Sequence, residues 1–189
     1  MTSPGCTRLT FAALLDYASG DLSPDEGMAL EDHLFSCGAC GTRAAAAEAL
    51  VRAIGAAVRT SQVGGFVTDA VLNRLAREGL RVRSYTLAPG AVVPCAVWDD
   101  DDLMVLRLRA DVGEATEVTL TRRVAGGAAV QVTGPVSRET PGEILFMDPA
   151  AWIRELPVVR VDLELSAHVG ETPRPVGRYT LVHAGALRR

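Results

Sequence analysis

The segment His33-Leu34-Phe35-Ser36-Cys37-Gly38-Ala39-Cys40 sets three metal-ligating side chains close together in a chain with only three histidines and four cysteines. On a helix, His33 and Cys37 stand one turn apart on the same face and can reach one ion. Cys40 is expected just past the helix end, with Gly38 letting the backbone turn back. A structural zinc site takes four such ligands in a tetrahedron, so one more must come from elsewhere. Cys6, ahead of the first predicted helix, is the candidate; the other histidines, His168 and His183, lie far along the chain. The expected set is therefore Cys6, His33, Cys37 and Cys40 around a single structural Zn2+. Zinc-bound thiolates can be oxidised, which gives such a site the chemistry of a redox-responsive one. Two plainer readings compete: small residues buried in a core, and thioredoxin-type CxxC chemistry. The second wants a strand before the motif, and no strand precedes it here, while a helix follows.

Helical periodicity runs through the first 80 residues. Phe11, Leu14, Leu15 and Ala18 recur at three- and four-residue spacing, and Gly20 supplies a stop. Ser23-Pro24-Asp25-Glu26 is a helix start, with Ser23 as cap, Pro24 in the first turn and Glu26 where a capping box needs its carboxylate. The second helix should run to about Cys37. A third, over residues 42–59, is rich in Ala, the best helix former, with Ala47, Leu50, Val51, Ile54 and Val58 in a stripe. Residues 61–65 read as a hinge, and a fourth helix follows to Gly79, with Thr68 as its cap and Val71, Leu72 and Leu75 along one side.

After residue 80 the pattern changes to strands and turns. Stretches 82–87, 92–97, 103–112, 117–124, 128–133, 158–165 and 178–183 alternate or are rich in β-branched residues. Pro89-Gly90, Asp99 to Asp102, Gly113 and Gly126-Gly127 punctuate them, and a short helix is expected over 149–155. The fold class predicted is α+β in two domains: a zinc-bound helical bundle (1–60), a linker and fourth helix (61–79), and an antiparallel β-sandwich (80–189) acting as a sensor or interaction domain. Cys95, in an apolar strand, reads as a small buried hydrophobe. The acidic run Asp99 to Asp102 lacks the spacing and glycine of a calcium loop and reads as a solvated turn. His168 and His183 are isolated, so no second metal is expected.

The formal net charge is −4, which disfavours direct nucleic-acid binding, since that needs clustered positive charge. Every basic side chain except histidine is Arg, and the abundance of Ala, Val and Gly suits a GC-rich bacterial genome. No apolar run approaches the roughly 20 residues that cross a bilayer, and the N-terminus has no signal-peptide hydrophobic region. A cytoplasmic location follows as an expectation, and with it reduced thiols. No nucleophile–base arrangement or phosphate-cradling glycine loop stands out, so the chain is not expected to be an enzyme.

The run Leu14-Leu15-Asp16-Tyr17-Ala18-Ser19-Gly20-Asp21-Leu22-Ser23-Pro24-Asp25-Glu26, closed by His33, Cys37 and Cys40, resembles the zinc-containing anti-sigma factors of bacteria. The likeness covers residues 6–59 and weakens through the fourth helix. In that family a Cys or His before the first helix completes the site, a place that Cys6 matches. The resemblance implies three helices around zinc and a fourth after a linker, wedged between the two domains of an extracytoplasmic-function sigma factor to keep it from RNA polymerase. Val58, Val71 and Leu75 would then belong to the contact set. The alternative is a zinc-stabilised interaction adaptor of the same helical fold whose partner is not a sigma factor.

Overall fold

The structure is a computed structural model that describes residues 6, 8–59, 64–137, 140–170 and 172–187. It divides into two compact units, Met1–Thr60 and Ser61–Arg189.

The first unit has three helices, α1 (Phe11–Ser19), α2 (Pro24–Ser36) and α3 (Gly38–Arg59). Local chemistry fixes their ends. The Thr10 hydroxyl accepts the Ala13 N–H at 3.1 Å to start α1. Gly20, at φ 79°, closes it, and Asp21 N–H reaches back to the Asp16 carbonyl at 2.8 Å. That left-handed residue is why a glycine ends this helix. At α2 the capping box is complete: Glu26 N–H donates to the Ser23 hydroxyl at 3.4 Å, and Ser23 N–H to the Glu26 carboxylate at 2.9 Å. Leu14, Leu30, Ala44 and Ala47 are buried at the centre, with Leu9, Leu15, Leu22 and Leu34 packed around them.

The second unit is a pair of sheets sharing one core. One sheet has the order β1-β7-β4-β2, from β1 (Gly65–Val67), β7 (Glu143–Pro149), β4 (Leu103–Arg109) and β2 (Val82–Leu87). The other runs β3-β9-β8-β5-β6, from β3 (Val92–Trp98), β9 (Thr172–Leu187), β8 (Val159–Val169), β5 (Glu117–Val124) and β6 (Ala129–Pro135). Helices α4 (Asp69–Arg77) and α5 (Ala150–Arg154) complete the unit. Leu106 and Phe146 of the first sheet meet Leu120, Leu163, Leu165 and Leu181 of the second. In β9, Tyr179 is buried, its hydroxyl donating to the Arg109 carbonyl at 2.8 Å. A Cβ on Gly177 would lie 2.1 Å from that hydroxyl, so the position requires glycine.

Pairing is antiparallel as expected except at β2–β4 and β3–β9, which are parallel. The chain causes this by crossing between sheets: β2 lies at the edge of one, β3 at the edge of the other, and β4 returns beside β2. The acidic turn at the second crossing is anchored where solvation was expected. Asp101 is buried, accepting Arg83 Nε at 2.8 Å and Trp98 N–H at 2.8 Å.

Two strands are absent from the sequence expectation. β7 contains the apolar run Ile144-Leu145-Phe146-Met147, buried on both faces. β1 pairs with it, Phe66 opposite Phe146. Of the expected hinge, residues 61–63 lie outside the described residues and Gly65 opens β1.

Helix α4 is capped by Thr68, which accepts the Val71 N–H at 3.2 Å. It belongs to the second unit. Its first residue, Asp69, accepts Arg107 of β4 at 2.6 Å and the Thr140 hydroxyl at 2.6 Å, while Arg107 also reaches Glu143 at 3.3 Å. Leu72 and Leu75 are buried. Among the described residues no helix is long and apolar enough to cross a membrane.

The Arg107 guanidinium, then the Thr140 hydroxyl, hold the Asp69 carboxyl below the ordinary aspartate range. A depressed acid pKa stabilises the fold above its unfolded value of about 4, and that contribution fades as pH falls further. Asp69→Asn should destabilise the second unit by about 1–3 kcal/mol at pH 7, the scale of a hydrogen bond to a charged group. Urea unfolding at pH 7 and pH 3 checks this: the gap from wild type should be full at pH 7 and shrink at pH 3.

Candidate metal centre

Ser36 ends α2, and Cys37 is its C-terminal cap, in extended backbone at φ −128°, ψ 96°. Gly38 begins α3 at once. The reversal is thus made at Cys37 itself, and Cys40, expected just past the end of α2, sits within the first turn of α3. His33, one helical turn before Cys37, projects from α2 toward the same point. Cys6 arrives from the segment ahead of α1.

The ligand atoms of Cys6, His33, Cys37 and Cys40 all lie within 4.8 Å of one another. His33 Nε2 is 3.6 Å from Cys6 Sγ and 3.4 Å from Cys40 Sγ. Zinc bonds of about 2.3 Å to sulfur and 2.0–2.1 Å to nitrogen give a tetrahedral N···S edge of roughly 3.5 Å. The observed separations match that edge, and three thiols with one imidazole suit zinc chemically. Cys40 is fully buried, while the other three are half-buried.

Local electrostatics prepare the sulfurs unequally. Cys37 lies at the amino end of α3, and the Cys40 backbone N–H is the first cause of a lowered thiol pKa there. Such amides stabilise thiolate as they stabilise any anion at a helix start. Burial raises the Cys40 thiol, with Cys6 and Cys37 adding to the effect. Crowded sulfurs that resist sharing negative charge are what a divalent cation relieves.

Arg43, absent from the predicted site, supports it. From α3 its Nη1 donates to the Leu9 carbonyl at 2.9 Å and the Cys6 carbonyl at 3.3 Å. It ties the segment carrying the most remote ligand to the helix that carries Cys40. Its only sequence signal is the spacing, one turn after Cys40 on a helix that starts earlier than expected.

The residues offered as partner contacts do not gather here. Leu75 is 4% exposed beside Leu72 in the second unit, and Val71 is half-buried there. As α4 stands, its apolar side is occupied. Val58 falls in α3, but its side chain lies outside the described residues. Among the described residues, the exposed large apolar side chains of the first unit are Phe35 at 91% exposure, Met28 at 59%, Ile54 at 50%, Leu50 at 43% and Phe11 at 40%.

Taken together the first unit is a zinc-binding helical module, with a Cys3His site for one structural zinc ion. Residues 10–41 match a protein-family model described as "Putative zinc-finger", a domain typical of anti-sigma factors. The match includes His33, Cys37 and Cys40, leaves Cys6 just ahead of it, and takes in none of the second unit. No curated protein matches the sequence. Among solved structures, the N-terminal domain of phage TP901-1 ORF48 is similar at 9% identity and a TM-score of 0.34, covering 55% of this chain and 98% of that one. That likeness is too slight to carry an argument.

With four ligands, the purified chain should hold about one zinc, and Cys40→Ser should abolish it. Chelation should melt α1 to α3 while the sheets persist, because the small apolar core cannot hold the module alone. Arg43→Ala should keep the metal but weaken its retention about tenfold, within the 10–100-fold cost of losing a supporting group. Metal analysis, far-ultraviolet circular dichroism and chelator competition read these outcomes.

Proposed function

We propose that this chain is a cytoplasmic anti-sigma factor that binds an extracytoplasmic-function sigma factor and represses transcription by sequestering it. The observation that carries the reading is the Cys3His geometry formed by a segment that matches a zinc-finger family associated with anti-sigma factors. On this reading the chain acts by binding a protein, without catalysis and without touching DNA or a membrane.

The exposed face of α3 supports it. A 22-residue helix is about 33 Å long. Among the described residues, the module's core takes Ala44 and Ala47 from α3, both in its first half. Beyond them Leu50 and Ile54, one turn apart, are exposed. An amphipathic helix with an uncovered apolar stripe is a common partner surface, and Phe35 adds a large anchor at the far end of α2. A regulator clamped by zinc at one end would present this stripe on a rigid support.

Co-expression with each extracytoplasmic-function sigma factor of the source organism, followed by size-exclusion chromatography and metal analysis, tests the proposal. The expected product is a one-to-one complex that retains its zinc. Phe35→Glu with Ile54→Glu should weaken the complex at least tenfold, since a buried anchor at an interface contributes about 2 kcal/mol or more, while leaving zinc content unchanged. A folded, zinc-loaded chain that binds none of the organism's sigma factors would sink this reading in favour of the adaptor.

A further inference from the structure

The β unit keeps an opening of about 150 Å³ inside its core, reached past Trp152 and Leu156 beside α5 and Ala128 and Val130 of the β5–β6 hairpin. Interiors are normally packed to crystal density, so a void of this size is a feature. It is several times the volume of one water molecule, and a cavity of that size can hold a six-membered ring. Met104, Leu106, Leu163 and Leu181 form apolar walls. Three polar residues, Arg122, Asp148 and His183, line it from different strands.

Two of the three satisfy each other. Asp148, 2% exposed, accepts Arg122 Nη1 at 2.5 Å. The third does not. His183, 1% exposed, pairs in register with Cys95 of β3, whose Sγ is 4.0 Å from His183 Nδ1. Its Nε2 is buried and meets no hydrogen-bond partner among the described residues. A buried polar atom left without a partner is rare enough to need a reason.

We infer that this cavity is a binding site for a small, uncharged ring compound bearing one hydroxyl, with His183 Nε2 as the hydrogen-bond partner of that hydroxyl. The volume limits the ligand to about one ring. The apolar walls select its body. A neutral ligand is required because Asp148 and Arg122 already balance one another, leaving no free charge to receive an ion. Burial holds the imidazole below its ordinary pKa, with the Leu156 carbonyl opposing, which favours a neutral ring. A hydroxyl both donates and accepts, so it satisfies Nε2 in either tautomer. The site lies wholly within the second unit and stands whatever partner the zinc module takes.

Phenol and toluene make the test, because they differ by that one hydroxyl. Titrations of the full zinc-loaded chain would be followed by histidine ring 15N spectra and by calorimetry. The expected result is saturable phenol binding that shifts the His183 Nε2 resonance, with toluene at least tenfold weaker. Ala128→Trp at the exposed mouth should block phenol without unfolding the sheets, and His183→Leu should erase the preference over toluene. Equal affinity for the two compounds would overturn the inference and leave only an apolar void. So would an unmoved His183 resonance at saturating phenol, or ordered water filling the cavity that phenol does not displace.

Discussion

The N-terminal unit depends on four ligand atoms held together more than on its apolar core. Among the described residues, only Leu14, Leu30, Ala44 and Ala47 are buried at its centre, besides Cys40. So few aliphatic side chains cannot offset the conformational entropy of ordering three helices, which costs about 1–2 kcal/mol per residue for the backbone alone. Metal binding supplies free energy of the size such small modules need. The zinc ligands also decide geometry. Cys37 must be extended for its sulfur to face His33, and that single residue sends α3 back against α1. Arg43 holds the segment bearing Cys6, so the metal closes the most distant loop in the unit.

Much of this was legible in the sequence because it rests on short-range chemistry. Ser23, Pro24 and Glu26 form a capping box set by side chains three residues apart, and Gly20 marks a left-handed stop. The His33, Cys37 and Cys40 spacing reports a helical face directly. Strands that alternate or carry β-branched runs, such as β2 and β5, were equally plain. What escaped was set by distant partners. β1 has three residues, too few for any period, and exists because β7 offers it an edge. β7 itself is apolar on both faces, and such a run cannot be told from a helix by periodicity. Asp101 looked like one of four solvated acids until Arg83, on the strand paired with β4, claimed it.

The two parallel pairings have the same origin. Alternation identifies a strand and its inward face, but the neighbour is chosen by where the chain next crosses. Here β2, β3 and β4 shuttle between sheets, so β4 returns beside β2 in the same direction. The crossing puts Cys95 at one sheet's edge, in register with His183. This pairing, between residues 88 positions apart, brought an isolated histidine into a cavity that no local pattern announced.

Helix α4 bears most on how the zinc module meets a partner. The resemblance to zinc anti-sigma factors implied a fourth helix free to join the first three. Here Asp69 is held by Arg107 and Thr140, and Leu72 and Leu75 are buried in the second unit. Withdrawing two leucines from such surroundings costs about 1.5–3 kcal/mol each, and breaking the charged hydrogen bond about 1.5 kcal/mol more. A partner that captured α4 would forfeit about 4.5–7.5 kcal/mol, roughly three to five orders of magnitude in affinity. A partner that used Phe35 and the second half of α3 would forfeit none of it. The cheaper surface is therefore on the zinc module itself, and the hold of the second unit on α4 sets how much a partner would have to recover before taking the fourth helix as well.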